Sequence, residues 1–120
     1  HECKLRNKKS IEVWGSGKPL RELIFVDDIA DACIYFMKKK TKETLINIGT
    51  GKDMGIKDYV NFLIKKLKLK VKIKFDRKKP DGVHRKVLDV KLAKKYGWRA
   101  KYSLNEGFDI TYRDFLQKYK

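Results

Sequence analysis

LINIGTGKDMGIKDYVNFLIKKLKLKVKIKF, residues 45–75, carries one strand–loop–helix–strand pattern, and the fold class follows from it. Leu45 to Ile48 is an apolar run of strand length, and Gly49-Thr50-Gly51 supplies the chain freedom for a tight loop after it. From Ile56 the period changes: Ile56, Tyr59, Val60, Leu63, Ile64 and Leu67 recur at helical spacing and define one apolar stripe. Val71 to Phe75 then alternates apolar residues with Lys, the pattern of a strand with one wet face. Strand, amphipathic helix and strand in succession predict an α/β layering.

The same alternation extends outward in both directions. Toward the amino end, His1 to Lys9 reads as the frayed end of a helix. Ile11 to Trp14 is a short strand, Gly15-Ser16-Gly17-Lys18-Pro19 is turn chemistry, and Arg21 to Val26 is a second extended run. Asp27 and Asp28 stand where a helix N-cap belongs, and Ile29, Cys33, Phe36 and Met37 form the predicted inner face of the helix they open. Lys38 to Lys40 fall in its last turn, where cations are favoured. Toward the carboxyl end, Arg77 to Gly82 is a polar loop. Asp89 caps a short helix that Gly97 stops, and Ser103 with Glu106 forms a capping box. The last helix then puts Leu104, Phe108, Tyr112, Phe115, Leu116 and Tyr119 on one face. The expectation is α/β: a small mixed sheet with packed amphipathic helices, a single domain over residues 1–120.

Composition narrows the function classes. The 120 residues hold 31 Lys and Arg against 15 Asp and Glu, a formal charge of +16. Six of the cations are Arg. The Lys residues are scattered over polar helix faces, and Arg is the usual reader of base edges, so specific nucleic-acid binding is not expected, whereas weak phosphate attraction at low salt is. No apolar run reaches a membrane span. Cys3 and Cys33 have no metal or disulfide spacing and read as reduced thiols of a cytoplasmic protein, with Cys33 buried on its helix face. His1 and His84 are the only histidines, too few for a His-rich metal site or a Ser-His-Asp set.

Three motifs invite chemistry. Gly49-x-Gly51-x-x-x-Gly55 with Asp76 further on imitates a dinucleotide fingerprint, but its third glycine is one residue late and too few strand–helix units follow. Tyr35-x-x-x-Lys39 has the spacing of a dehydrogenase catalytic pair on a Lys-rich helix that produces such spacing by chance. The richest stretch is Val13 to Glu22, VWGSGKPLRE: an aromatic face, a glycine turn and a guanidinium. Its complement is Pro80 to Lys86, PDGVHRK: a carboxylate beside two cations. Sugars stack on aromatic faces, Arg offers phosphate a planar fork of donors, and a carboxylate accepts ribose hydroxyls. The competing reading makes Trp14 a core anchor and Pro80-Asp81-Gly82 a plain turn.

These segments resemble the GDP-L-fucose synthases, extended short-chain dehydrogenase/reductases. The resemblance runs through VWGSGKPLRE, VDDIADAC (26–33), INIGTGKDMGIKDY (46–59) and FDRKKPDGVHRKVLDVKLAKKYGWRAKYSLNEG (75–107). It implies the carboxyl-terminal, substrate-binding part of a two-lobed enzyme whose other lobe binds NADPH and carries the catalytic Ser, Tyr, Lys, Cys and His. Those catalytic motifs have no counterpart in this chain, so no catalytic residue and no cofactor of its own are expected. By the same resemblance Trp14 lies near the sugar, Arg21 near the diphosphate, Asp81 near the ribose and Lys86 near the nucleotide of a GDP-sugar. A homodimer is implied for the full-length enzyme. Phe25, Val83-His84 and Gly55 depart from the residues common in the family, which have His, Thr-Pro and Ser or Thr there.

Overall fold

The computed structural model describes residues 1–119. Its elements in chain order are α1 (Glu2–Leu5), β1 (Ser10–Trp14), β2 (Leu20–Glu22), α2 (Val26–Lys38), β3 (Asp53–Gly55), α3 (Ile56–Lys66), β4 (Lys72–Asp76), β5 (Arg85–Lys86), α4 (Lys91–Lys95) and α5 (Leu104–Lys118). The α/β expectation therefore holds, with the strands gathered into two short sheets, β1-β4 and β3-β2-β5. The chain divides into two compact units: His1–Arg21 with Asp53–Lys86, and Glu22–Lys52 with the segment from Val87 onward.

In the first unit β1 and β4 run parallel, with Ser10 opposite Lys72 and Trp14 opposite Asp76. Alternation sorts their side chains by face. Ile11, Val13, Ile73 and Phe75 are half-buried, while Glu12, Lys72, Lys74 and Trp14 face solvent. Helix α3 half-buries Ile56, Tyr59, Val60, Ile64 and Leu67 of the expected stripe. Phe62, which the stripe omits, is half-buried too, and Leu63 is exposed. At α3's start Gly55 is the N-cap, and two turn carbonyls serve the helix's open amides: Ile56 N–H donates to Pro19 O and Lys57 N–H to Gly17 O. Gly17 itself sits at φ +76° against the Phe75 ring, where a Cβ would collide with the ring edge. The turn is therefore glycine both for its backbone and for its packing.

The second unit has the apolar core. Ala32, Ala93 and Trp98 are buried, and Ile24, Tyr35, Phe36, Ile46, Ile48 and Ala100 pack around them. Removing an indole from such a site costs about 3–5 kcal/mol, so Trp98 is the main anchor. The α2 expectation needs correction here. Its inner face is Asp28, Ala32, Tyr35 and Phe36; Cys33 is exposed and Met37 is 85% exposed. Asp28 is not a cap either. The N-cap is Phe25, and the buried Asp28 carboxylate accepts from Lys101 N–H at 2.9 Å and Tyr102 N–H at 3.1 Å. A carboxylate that satisfies two backbone donors draws its own face of the helix inward against the hydropathy pattern. A second correction concerns Leu45 to Ile48. This segment pairs with no strand among the described residues, yet Ile46 and Ile48 still join the core. The terminal signals at the carboxyl end hold apart from Asp89: the N-cap of α4 is Val90, and Asp89, one residue earlier, accepts from Lys91 N–H at 2.9 Å. Gly97, at φ +93°, closes α4, and Ser103 with Glu106 forms a full capping box on α5.

Candidate functional site

Residues Trp14, Arg21, Asp81 and Lys86 all fall in the first unit. The parallel β1-β4 pair explains part of this: the Gly15-Ser16-Gly17 turn and the 77–84 loop both leave the carboxyl ends of adjacent parallel strands. In open α/β sheets that edge is where ligands are held.

Asp81 ties the two loops together. Its carboxylate accepts from Ser16 N–H at 2.5 Å and from Ser16 Oγ–H at 2.7 Å. Gly15, at φ +79°, lies so close to the Asp81 carboxylate that a Cβ would overlap it. The Ser16 hydroxyl and amide hold the carboxyl below the usual aspartate range, and Lys18 and Arg77 add Coulombic support. Asp81 is therefore an anion at neutral pH, and each of its oxygens has a further lone pair for a hydroxyl donor.

Trp14 is 69% exposed, so it is not the core anchor of the competing reading. The Lys79 ammonium lies 5.1 Å from its ring centroid, a cation–aromatic contact that braces the indole in an exposed position. Sequence reading passed over both Lys79 and Ser16. By sequence pattern Lys79 belongs to a polar loop and Ser16 to a turn, and neither pattern carries a signal for these contacts.

Arg21 and Lys86 are register partners on the parallel strands β2 and β5. Their side chains thus project from the same face as neighbours. The Arg21 Nη1 donates to the Leu20 carbonyl at 2.7 Å, and its Nη2 lies 3.7 Å from where a Gly82 Cβ would stand, against the loop that carries Asp81. One strand position away, Arg85 is held by Asp53 through Nε at 2.5 Å and Nη2 at 3.2 Å. Asp53 is thereby engaged, and neither Arg21 nor Lys86 forms an ion pair among the described residues. Two adjacent cations without a counter-charge repel, and a diphosphate placed between them relieves that repulsion.

The glycine loop does something other than its fingerprint suggests. Within the second unit the Glu22 carboxylate accepts from Thr50 N–H at 2.5 Å, Gly51 N–H at 2.6 Å, Thr50 Oγ1–H at 3.0 Å and Leu88 N–H at 2.8 Å. Burial alone would raise its pKa, but these donors outweigh it and hold the carboxyl below the ordinary range. The amides that a pyrophosphate would need are already taken by an internal anion, so the loop does not fit a dinucleotide. Tyr35 likewise has a structural partner: its hydroxyl donates to the Tyr96 carbonyl at 2.8 Å.

Comparison with known proteins places this geometry in context. The sequence model of the NAD dependent epimerase/dehydratase family matches residues 2–49. GDP-L-fucose synthase of Escherichia coli is 39% identical over 126 residues, an alignment that takes in 98% of this chain and 39% of that enzyme. Among solved structures, a GDP-6-OMe-4-keto-L-xylo-heptose reductase from C. jejuni matches with a TM-score of 0.83 at 32% identity, over 98% of this chain and 38% of that one. The GDP-mannoheptose C4 reductase of Campylobacter jejuni, solved with NADP bound, matches with a TM-score of 0.78 at 32% identity, over 90% of this chain and 35% of that one. The chain thus spans well under half the length of each of these proteins. Sequence and structure agree on one kinship: over nearly all of its own length this chain resembles the GDP-L-fucose synthases and their relatives among the GDP-sugar reductases.

Proposed function

We propose that the chain is the GDP-sugar-binding part of a GDP-L-fucose synthase, with GDP-4-keto-6-deoxymannose as the sugar nucleotide. The observation that carries this reading is the side-by-side placement of Arg21 and Lys86, with the Asp81 loop against the guanidinium. In this reading the two cations take the diphosphate, the Asp81 carboxylate accepts ribose hydroxyls, and the exposed Trp14 face stacks on the sugar. Epimerisation and NADPH-dependent reduction need acid/base and hydride-handling groups that these four residues do not supply. The chain's own contribution is therefore to bind and orient, and a cofactor-binding lobe of the kind the resemblance implies supplies the chemistry.

The test is calorimetric titration of the chain with GDP and with ADP. GDP is expected to bind in preference to ADP, with affinity reduced about tenfold or more in Arg21→Ala, the scale of one lost charge-assisted contact. Equal binding of GDP and ADP, or no effect of Arg21→Ala, would remove the guanine-sugar assignment. NADPH oxidation by the chain alone in the presence of the keto sugar is expected to be nil.

A further inference from the structure

The β2·β5 ladder is short for the work asked of it. Its register covers two pairs, Leu20 with Arg85 and Arg21 with Lys86, supported by one further bond from Leu20 N–H to His84 O at 2.8 Å. Strands this short do not hold their own register. The second pair also sets two cations side by side, which pushes β5 away from β2. Asp53 neutralises Arg85 and does nothing for Arg21 and Lys86.

What opposes the repulsion is Glu22, the residue after Arg21. Its Oε2 accepts from Leu88 N–H, two residues beyond Lys86, and its Oε1 accepts from Thr50 and Gly51, which lead into β3. The strand order is β3-β2-β5, so a single carboxylate at the end of β2 grips the chain just before β3 and just after β5. Gly49 is part of the same device, since a Cβ there would stand 2.6 Å from Glu22 Oε1. Charge-assisted bonds from three backbone amides to one carboxylate are strong enough to set a register that a two-residue ladder cannot.

We propose that Glu22 is the positioning residue of the diphosphate cradle: by holding the Leu88, Thr50 and Gly51 amides it fixes the β2·β5 register that keeps Arg21 beside Lys86. This rests on the reading of Arg21 and Lys86 as diphosphate ligands, and it assigns Glu22 no contact with the nucleotide.

Glu22→Gln is the informative change. It keeps the shape of the side chain but turns an amide NH2 toward a backbone donor, so one arm of the grip is lost. Amide hydrogen exchange in the ligand-free chain is measured by NMR, followed by GDP titration. Exchange at Leu20 and Lys86, whose amides face across the β2·β5 ladder, is expected to accelerate together with that at Thr50, Gly51 and Leu88, while Ile11, Val13, Lys74 and Asp76 of the β1-β4 pair stay protected. GDP affinity is expected to fall about tenfold, the scale of one lost charge-assisted bond. Faster exchange at Thr50, Gly51 and Leu88 with no change at Leu20 and Lys86 overturns the proposal, as does unchanged GDP affinity once the ladder has loosened. If the unsubstituted chain does not bind GDP, the proposed function falls, and exchange at Leu20 and Lys86 alone decides whether Glu22 sets the β2·β5 register. Should Glu22→Gln give no dispersed spectrum, Glu22→Asp, which keeps the charge but is shorter by one methylene, is expected to show the same pattern in weaker form.

Discussion

Asp81 shows how much of the site depends on single hydrogen-bond partners. Its carboxyl lies low because Ser16 donates to it twice, first through the hydroxyl and then through the amide. A folded-state pKa below the unfolded value means that the tie is fully present above the unfolded aspartate value of about 3.9, and is lost as pH falls through the lower folded-state value. The Ser16 amide resonance is therefore expected to stay put from neutral pH down to about 4 and to move only below that. In Ser16→Ala one of the two donors is gone, so the Asp81 titration is expected to shift upward toward the ordinary aspartate value. Carbon-detected titration of the Asp81 carboxyl measures both. A midpoint at or above the ordinary value in the unsubstituted chain would show that the loops are not tied in solution. VWGSGKPLRE and PDGVHRK stand out in the sequence as two motifs, but their residues alone leave a core tryptophan and a plain turn as the alternative, and the roles proposed for Trp14, Arg21, Asp81 and Lys86 come from the family resemblance. Their partners Ser16 and Lys79 were not legible, because the β1-β4 register that joins their loops is a non-local fact.

At the scale of elements, helix α2 separates two effects that look alike in sequence. Asp27 and Asp28 both read as helix-start carboxylates. Asp27 is exposed in the first turn, where its charge gains only the dipole term, whereas Asp28 is 1% exposed and binds two amides of the 101–102 segment. Asp28→Ala leaves two part-buried amides without their acceptor and is expected to lower stability by about 1–3 kcal/mol, while Asp27→Ala is expected to cost about 0.3–1 kcal/mol. Urea unfolding of both variants against the parent measures the difference; equal losses would mean that both act only as cap charges. Hydropathy placed the exposed Cys33 and Met37 on the inner face beside the half-buried Ile29 and Phe36, because it scores a buried carboxylate as polar whatever it binds. Ala32, the residue that meets Trp98 and Ala93, is too small to announce itself. Helix α5, by contrast, was legible at its start, because the Ser103–Glu106 box is a local pattern with a local cause. Leu45 to Ile48 had the composition of a strand, and what composition cannot supply is a neighbouring strand.

For the whole molecule, the formal charge of +16 sets up two competing expectations about phosphate. A basic surface attracts any polyanion, and one shallow cavity of about 580 Å³ on the first unit is lined by Lys9, Lys70, Lys72 and Lys74 with Ser10 and two apolar residues. Attraction of that kind comes from counterion release, so its strength falls steeply with salt and is indifferent to the base. The proposed GDP site is different in kind, with two phosphate-facing cations, one carboxylate and one aromatic face at fixed places. Raising salt from 50 to 200 mM is expected to weaken binding of a single-stranded oligonucleotide by about a hundredfold or more, since such a ligand spans many lysines at once. The same change is expected to weaken GDP binding by less than about tenfold, because only two cations meet the diphosphate and screening acts on those contacts alone. Trp14→Ala adds a second axis that salt does not touch. Stacking on the indole contributes to a GDP-sugar and not to GDP alone, so the variant is expected to lose affinity for the sugar nucleotide while GDP binding stays level. Fluorescence anisotropy of labelled oligonucleotide beside calorimetry of both nucleotides separates the two modes. If GDP-sugar and oligonucleotide affinities fell in parallel with salt and both ignored Trp14→Ala, the phosphate affinity of this chain would be a property of its overall charge and not of the Trp14, Arg21, Asp81 and Lys86 arrangement.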